Sequence, residues 1–273
     1  MRIQTVEAKS LITKSKLPDA DFVINPYIGC NHGCVYCYAE FMSRFTGHTG
    51  EPWGSFIDIK SCNNPFPPAE KLAGKTVLIG SATDPYNPLE KRYKKTQEAL
   101  LALMKTEARV EILTKSPLVT RDIIIFANMK NISVGISLST MDENFARLTE
   151  KNAHPPKQRL DAMRALCEAG IDVYCFVSPI FPLFQDWKQV AKEAAKYATK
   201  ICFENLNLRG GYKQRVLELI AAHYPEKSAG FAEIFKKKAN ATAYWANLET
   251  EIRKYMGQKP YKLYFYHEKI KKV

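Results

Sequence analysis

Three features of the sequence predict an α/β fold built on a parallel sheet. Short runs rich in Val, Ile and Phe recur between residues 22 and 208, stretches with helical spacing separate them, and a cysteine cluster falls directly after the first run. Six such units fit a partial (β/α)6, TIM-like barrel of parallel strands better than an eight-stranded one, with an open doubly wound sheet as the alternative. In either architecture reactive side chains belong at the carboxyl ends of strands.

The elements follow in order. "FVINPYIG" from residue 22, "TVLIGSATD" from 76, "VEILTKS" from 110, "ISVGISLST" from 132, "IDVYCFVSPIF" from 171 and "KICFENLNL" from 200 read as strands. "EKRYKKTQEALLALMKT" and "PKQRLDAMRALCEAG" read as helical. In the second, Leu160, Met163, Leu166 and Cys167 repeat at three- and four-residue steps, and Gly170 supplies a stop. His154, followed by Pro155 and Pro156, reads as a turn into that helix. From Gly210 the pattern changes to helices, "QRVLELIAAHY" and "FAEIFKKKANATAYWANLETEIRKYM", and then to an alternating "YKLYFYHE". Residues 200–273 hold 15 Lys/Arg and 7 Asp/Glu, hence +8 of the chain's +12. The organisation expected is a core over residues 1–209, including an N-terminal arm, and a basic, mainly helical extension over 210–273 packed on it.

Composition narrows the function. With 273 residues, 46% hydrophobic and 25% charged, the chain is an ordinary globular protein with room for one large core. No apolar run is long enough to span a bilayer, and the N-terminus lacks the apolar centre of a secretory signal, so no membrane partner and a cytoplasmic location are expected. Seven cysteines, an odd number, suit metal-binding, catalytic or buried thiols in a reducing compartment. The positive charge favours anionic partners, nucleic acid first, against the alternative of a merely basic surface.

The richest stretch is "NPYIGCNHGCVYCYAEFM" from Asn25. Cys30, Cys34 and Cys37 form the pattern C-x3-C-x2-C with no fourth cysteine close by. Structural zinc usually takes four protein ligands in two separated pairs, and His32 is awkwardly close to Cys30 to complete such a set. Three thiolates on a four-iron cube would leave one iron free. Zinc remains the alternative.

The pattern, with Tyr36 before the last cysteine, resembles the radical S-adenosylmethionine superfamily. "CVYCY", "GSATDP", "ILTKS", "GISLST" and "DVYCFVSPIFP" also resemble, in order, segments of spore photoproduct lyase and its relatives. The resemblance implies a [4Fe–4S] cluster on Cys30, Cys34 and Cys37, with S-adenosylmethionine on the free iron. Electron transfer would then cleave the sulfonium to a 5′-deoxyadenosyl radical. It places Thr83 and Asp84 near the methionine end, Lys115 on the carboxylate, Ser137 facing the ribose, and Val177 to Pro179 along the adenine. Ser81 stands where the lyase has its hydrogen-donating cysteine, and a serine O–H is a far poorer donor, so that relay cannot run unchanged. Tyr36 and Tyr38 match aromatic positions of the relay, and Cys62, in a Pro-rich loop, is a candidate replacement thiol. Cys175 and Cys202 read more readily as small core hydrophobes. "INPYIGC…CYAEFMSRFTGH…EPWGSFIDIK" is similar to the radical SAM mobile pair branch, which implies a second radical S-adenosylmethionine protein as partner. An electron donor such as flavodoxin or ferredoxin is implied as well.

Weaker signals have bland alternatives. The loop carrying Asp84 and Glu90 borders the site or merely enters a helix, where Glu90 suits an N-terminal end. Glu204, Asn205, Asn207 and Arg209 contact substrate or cap the core. Lys interleaved with Tyr, Phe and Trp near the C-terminus binds nucleic acid or is a solvated face. Three functions compete: a radical enzyme acting on a DNA or RNA base, one acting on a peptide or partner protein, and a non-catalytic iron–sulfur or zinc module.

Overall fold

The computed structural model describes residues 1–63, 65–184, 187–208 and 210–265. Its strands are β1 (Arg2–Glu7), β2 (Ile12–Lys14), β3 (Phe22–Ile24), β4 (Tyr27–Ile28), β5 (Phe56–Ser61), β6 (Thr76–Ile79), β7 (Arg109–Thr114), β8 (Ile132–Ser137), β9 (Asp172–Ile180), β10 (Lys200–Asn205) and β11 (Tyr261–Tyr264). Eight form the main sheet, in the order β11-β10-β9-β8-β7-β6-β3-β2, and β1-β5-β4 form a small one. From β3 to β11 every pairing is parallel, and β2 runs antiparallel on the edge. The sheet is therefore mixed, and helices flank it.

The parallel strands are apolar because they are covered on both faces. Ile24, Val77, Ile79, Val110, Ile112, Val134, Ile136, Val173, Val177 and Phe203 all lie in one core cluster. Between them come α1 (Glu90–Tyr93) and α2 (Lys95–Leu103), α3 (Ile123–Ala127), α4 (Glu143–Thr149) and α5 (Pro156–Glu168), and α6 (Trp187–Ala194). Helices α7 (Tyr212–His223), α8 (Pro225–Lys236) and α9 (Lys238–Met256) separate β10 from β11. Phe231, Trp245 and Ile252 from this last group join the same core, and β11 pairs with β10 at Ile201↔Tyr261. Arg209 and the end of the "YKLYFYHE" segment lie outside the described residues. Among the described residues no helix is long and apolar enough to cross a membrane.

Several elements depart from the sequence reading. The first run is broken at Asn25-Pro26, because proline has no N–H for a ladder. The chain leaves the main sheet there, and β4 pairs antiparallel with β5 at Tyr27↔Ile59. The cysteines thus follow β4 rather than the first sheet strand directly. "EKRYKKTQEALLALMKT" is two helices, divided at Lys94, which has a left-handed φ of 51°. Glu90 accounts for the division: its carboxylate accepts from Thr96 N at 2.9 Å and Gln97 N at 3.1 Å, capping the start of α2. The long C-terminal helix is likewise two, parted at the extended Lys237. On α5 the buried stripe is Pro156, Arg159, Ala162, Met163 and Leu166, so Cys167 is exposed and an arginine takes a core position.

Gly135 shows how tightly the sheet face is filled. It pairs with Tyr174, whose ring crosses over it so that the hydroxyl donates to Ile112 O at 3.1 Å. A β-carbon at 135 would lie 2.2 Å from that ring. Gly135→Ala is expected to destabilise the fold by about 1–3 kcal/mol, the usual cost of overpacking, measured by chemical denaturation.

Candidate functional site

The cysteine loop is clamped from two sides. From the loop after β6, Thr83 Oγ1 donates to Gly29 O at 2.5 Å. From the end of α4, Val35 N donates to Thr149 O at 2.9 Å, and Cys34 and Glu150 form an isolated antiparallel bridge. Asn152 N reaches His32 O at 3.0 Å. The loop after β6 and the stretch after α4 therefore hold the cysteine loop largely by its backbone.

Glu150 sits at the centre of this clamp and is 2% exposed. A buried carboxylate needs charge and donors around it. Arg159, 1% exposed, donates to one oxygen; Tyr36 Oη and Ser139 Oγ, the latter at 3.0 Å, donate to the other. Lys115 Nζ lies 4.0 Å away. Burial alone would raise the Glu150 carboxyl, but the charges of Arg159 and Lys115 and the hydrogen bonds from Arg159 and Tyr36 hold it at about 2. Arg159 also donates to the carbonyls of Ser137, at 3.2 Å, and His154, at 2.7 Å. Tyr36 meets Phe181 edge to face at 5.5 Å, so its phenol is fixed inside the protein.

Asp84 is a second hub. Its carboxylate accepts from Thr114 Oγ1 at 2.6 Å, Lys115 N at 2.7 Å and Tyr86 N at 2.9 Å, and it lies 3.5 Å from His32 Nδ1. It thereby joins the ends of β6 and β7 to the cysteine loop. Ser81 Oγ accepts from Asn25 Nδ2 at 2.9 Å, and Tyr38 Oη donates to the Ser81 carbonyl. Tyr38 is 53% exposed, unlike Tyr36, and Phe41 and Phe45 are exposed beside it on the short 3-10 helix Tyr38–Phe45. Ser137 is buried at the end of β8, with its hydroxyl 3.5 Å from Ser178 O, and Pro179 is buried near the end of β9. Val177 is fully enclosed in the core, so its side chain is not open to a ligand. Cys62 follows Ser61, at the opposite end of β5 from Phe56, the residue that packs on Gly29. The structure does not gather it with the three cysteines.

The thiols of Cys30, Cys34 and Cys37 are half-buried and unbridged. Burial, then the nearby Asp84 and Cys37, pushes Cys30 up to about 12. Burial raises Cys34 and Cys37 as well, while the Lys115 ammonium eases both toward the thiolate. Charge on Cys37 would raise both Cys30 and Cys34, so the three sulfurs lie near enough to influence one another. Among the described residues no three His, Cys, Asp or Glu side chains converge as ligands of one metal ion would.

The segment that follows the loop, from His48 to Asp58, folds back on it. His48 Nε2 pairs with Asp58 at 2.8 Å and Nδ1 with Glu51 at 2.9 Å, and the imidazole stacks on Phe56 at 3.6 Å. Three buried side-chain polar atoms among the described residues lack a hydrogen-bond partner: Asn31 Oδ1, Trp53 Nε1 and Asp58 Oδ1. All three belong to the cysteine loop or to this segment. Sequence reasoning missed Glu150, Arg159, Asn25, His48 and Trp53 as site residues. The one available signal for Arg159 was an arginine at i, i+3, i+4 and i+7 spacing from apolar neighbours.

Comparison with known proteins places this geometry. The model of the Radical SAM superfamily matches residues 24–202. An uncharacterized protein of Methanocaldococcus jannaschii is 33% identical over 244 residues, covering 89% of each chain. One of Acidianus two-tailed virus is 31% identical over 207 residues, 69% of this chain and 68% of its own. The chain belongs to the radical SAM superfamily and is a radical SAM enzyme. Spore photoproduct lyase complexed with a dinucleoside spore photoproduct shares the fold, with a TM-score of 0.69 over 96% of this chain and 82% of its own at 17% identity. A mutant of that lyase with bound AdoMet gives 0.70 over 96% and 81%, at 16% identity.

Two outcomes follow from the charges. Arg159→Leu leaves Glu150 without its main counter-charge and is expected to cost about 3–5 kcal/mol of stability in denaturant titration. His48 titrates in the opposite sense to a paired acid. Burial alone would lower it, but the bonds to Asp58 and Glu51 leave it raised above its ordinary 6.5. Its stabilisation is therefore full below that value and lost as pH rises through the folded pKa. The thermal midpoint should fall as pH rises above about 6.5, and His48→Asn should flatten that fall.

Proposed function

We propose that Cys30, Cys34 and Cys37 hold a [4Fe–4S] cluster, that S-adenosylmethionine binds the iron they leave open, and that the radical so generated acts on a nucleic-acid base. The observation that carries this reading is the C-x3-C-x2-C set of unbridged thiols, which feel the charge of Lys115, in a radical SAM chain. The donor set fits the group. A cube gives each thiolate its own iron, whereas a lone zinc would draw its ligands to one point. When bound, the cluster supplies an electron to the sulfonium, releasing a 5′-deoxyadenosyl radical that abstracts a substrate hydrogen.

The protein's part is binding and orientation. Lys115 offsets the negative charge of the thiolates and offers an ammonium to the cosubstrate carboxylate. Asp84 fixes the Lys115 backbone, and Thr83 fixes Gly29. Ser137 and Pro179, at the ends of neighbouring strands, are the proposed ribose and adenine contacts. Strand ends gathered on one side of a parallel sheet support a partial barrel, with residues 210–273 as an added unit. Tyr38, whose hydroxyl meets the Ser81 backbone, is better placed than the enclosed Tyr36 to hand a hydrogen atom to a substrate. Nucleic acid is favoured by the +12 charge, by the fold shared with a lyase solved with a dinucleoside photoproduct, and by exposed Tyr38, Phe41 and Phe45, whose rings offer stacking faces.

The test is 5′-deoxyadenosine release by anaerobically reconstituted, reduced protein, with and without duplex DNA. Release is expected to rise with DNA. Cys30→Ala should abolish it and lose iron while keeping the circular dichroism of the fold. Release indifferent to DNA would remove the nucleic-acid assignment and leave the radical chemistry.

A further inference from the structure

The segment "EPWGSF" is absorbed by none of the roles above, yet it lies directly on the cysteine loop. Ser55 N donates to Pro52 O at 3.1 Å, which closes a turn over Trp53 and Gly54. Gly54 holds φ at +102°, a conformation that suits glycine, and a β-carbon there would come within 3.1 Å of Gly33 Cα and 3.7 Å of Cys30 O. The Trp53 ring meets Phe56 edge to face at 5.6 Å, and Phe56 is in turn held by the stacked His48. The turn is thus fixed on both sides.

Within this frame the indole N–H of Trp53 is buried, and among the described residues it meets no acceptor in hydrogen-bonding geometry. Leaving a buried donor unmatched costs about 1–3 kcal/mol, which packing alone does not require. The indole lies near enough to the Cys37 thiol to favour the thiolate against the rise that burial causes. A neutral thiol is a weak acceptor, whereas a metal-bound thiolate is a strong one. The unmatched indole donor therefore fits a neighbouring sulfur that serves as a metal ligand.

We propose that Trp53 is a positioning residue for the cluster, donating its indole N–H to Cys37 Sγ and raising the cluster's reduction potential. The inference rests on the cluster reading of the cysteine loop. The physical reason is that reduction adds negative charge to the cluster and its thiolates, and a fixed N–H dipole stabilises that charge. Phenylalanine at this position would keep an aromatic edge for Phe56 and lose only the donor.

The experiment compares full-length wild type with Trp53→Phe, each reconstituted anaerobically and matched for iron content, by redox titration followed by electron paramagnetic resonance. The midpoint of Trp53→Phe is expected at a more negative potential. In reduced wild type carrying 15N-indole tryptophan, pulsed resonance should show a coupling to the indole nitrogen, and Trp53→Phe should lack it. An unchanged midpoint at equal iron content would overturn the proposal. So would the absence of that coupling in wild type, a result that does not depend on how well the variant folds. A wild-type chain that takes up no iron would overturn the cluster reading and this inference together.

Discussion

The arrangement turns on one buried carboxylate. Glu150 has almost no contact with water, so it keeps its charge only because Arg159, Lys115, Tyr36 and Ser139 surround it. Those partners come from α5, the end of β7, the cysteine loop and the loop after β8. A single ionised group thus makes four separate pieces of chain agree on one geometry. Such a cluster adds little net stability relative to an apolar core, because desolvation offsets most of the attraction. What it provides is a definite position for Tyr36 and hence for the two cysteines on either side of it.

Much of the main sheet was legible because enclosed parallel strands read as unbroken apolar runs. All six runs became strands, with the first divided at Pro26. The small sheet was not legible. Its β4 is two residues long, and its β5 is set by pairing with β1, from the other end of a long loop. Helix breaks were missed where a side chain outcompeted periodicity, as when Glu90 capped α2 and left Lys94 left-handed. On α5 the regular spacing was real but the phase was off, since Arg159 faces inward to meet Glu150 while Cys167 faces out.

The candidate site was legible in the sequence where local spacing suggested chemistry, and illegible where it depends on contacts between separate segments. Cys30, Cys34 and Cys37 announced themselves by spacing, and Asp84 and Lys115 by their places at strand ends. Glu150 had no such mark, because it follows α4 in an irregular stretch and acquires meaning only from partners on other elements, Tyr36 and Lys115 among them. The sheets also fix the places of Val177 and Cys62. One is sealed in the core by its strand neighbours, and the other is carried to the far end of β5.

The bridge between Cys34 and Glu150, and the bond from Tyr36 to the same carboxylate, span more than a hundred positions of sequence. A chain emerging from the ribosome therefore presents its three thiols well before the residues that enclose them exist. Until α5 has been made, these sulfurs are open to oxidants and to stray metal ions. Whatever group these sulfurs hold, its surroundings are complete only once most of the sheet has been made.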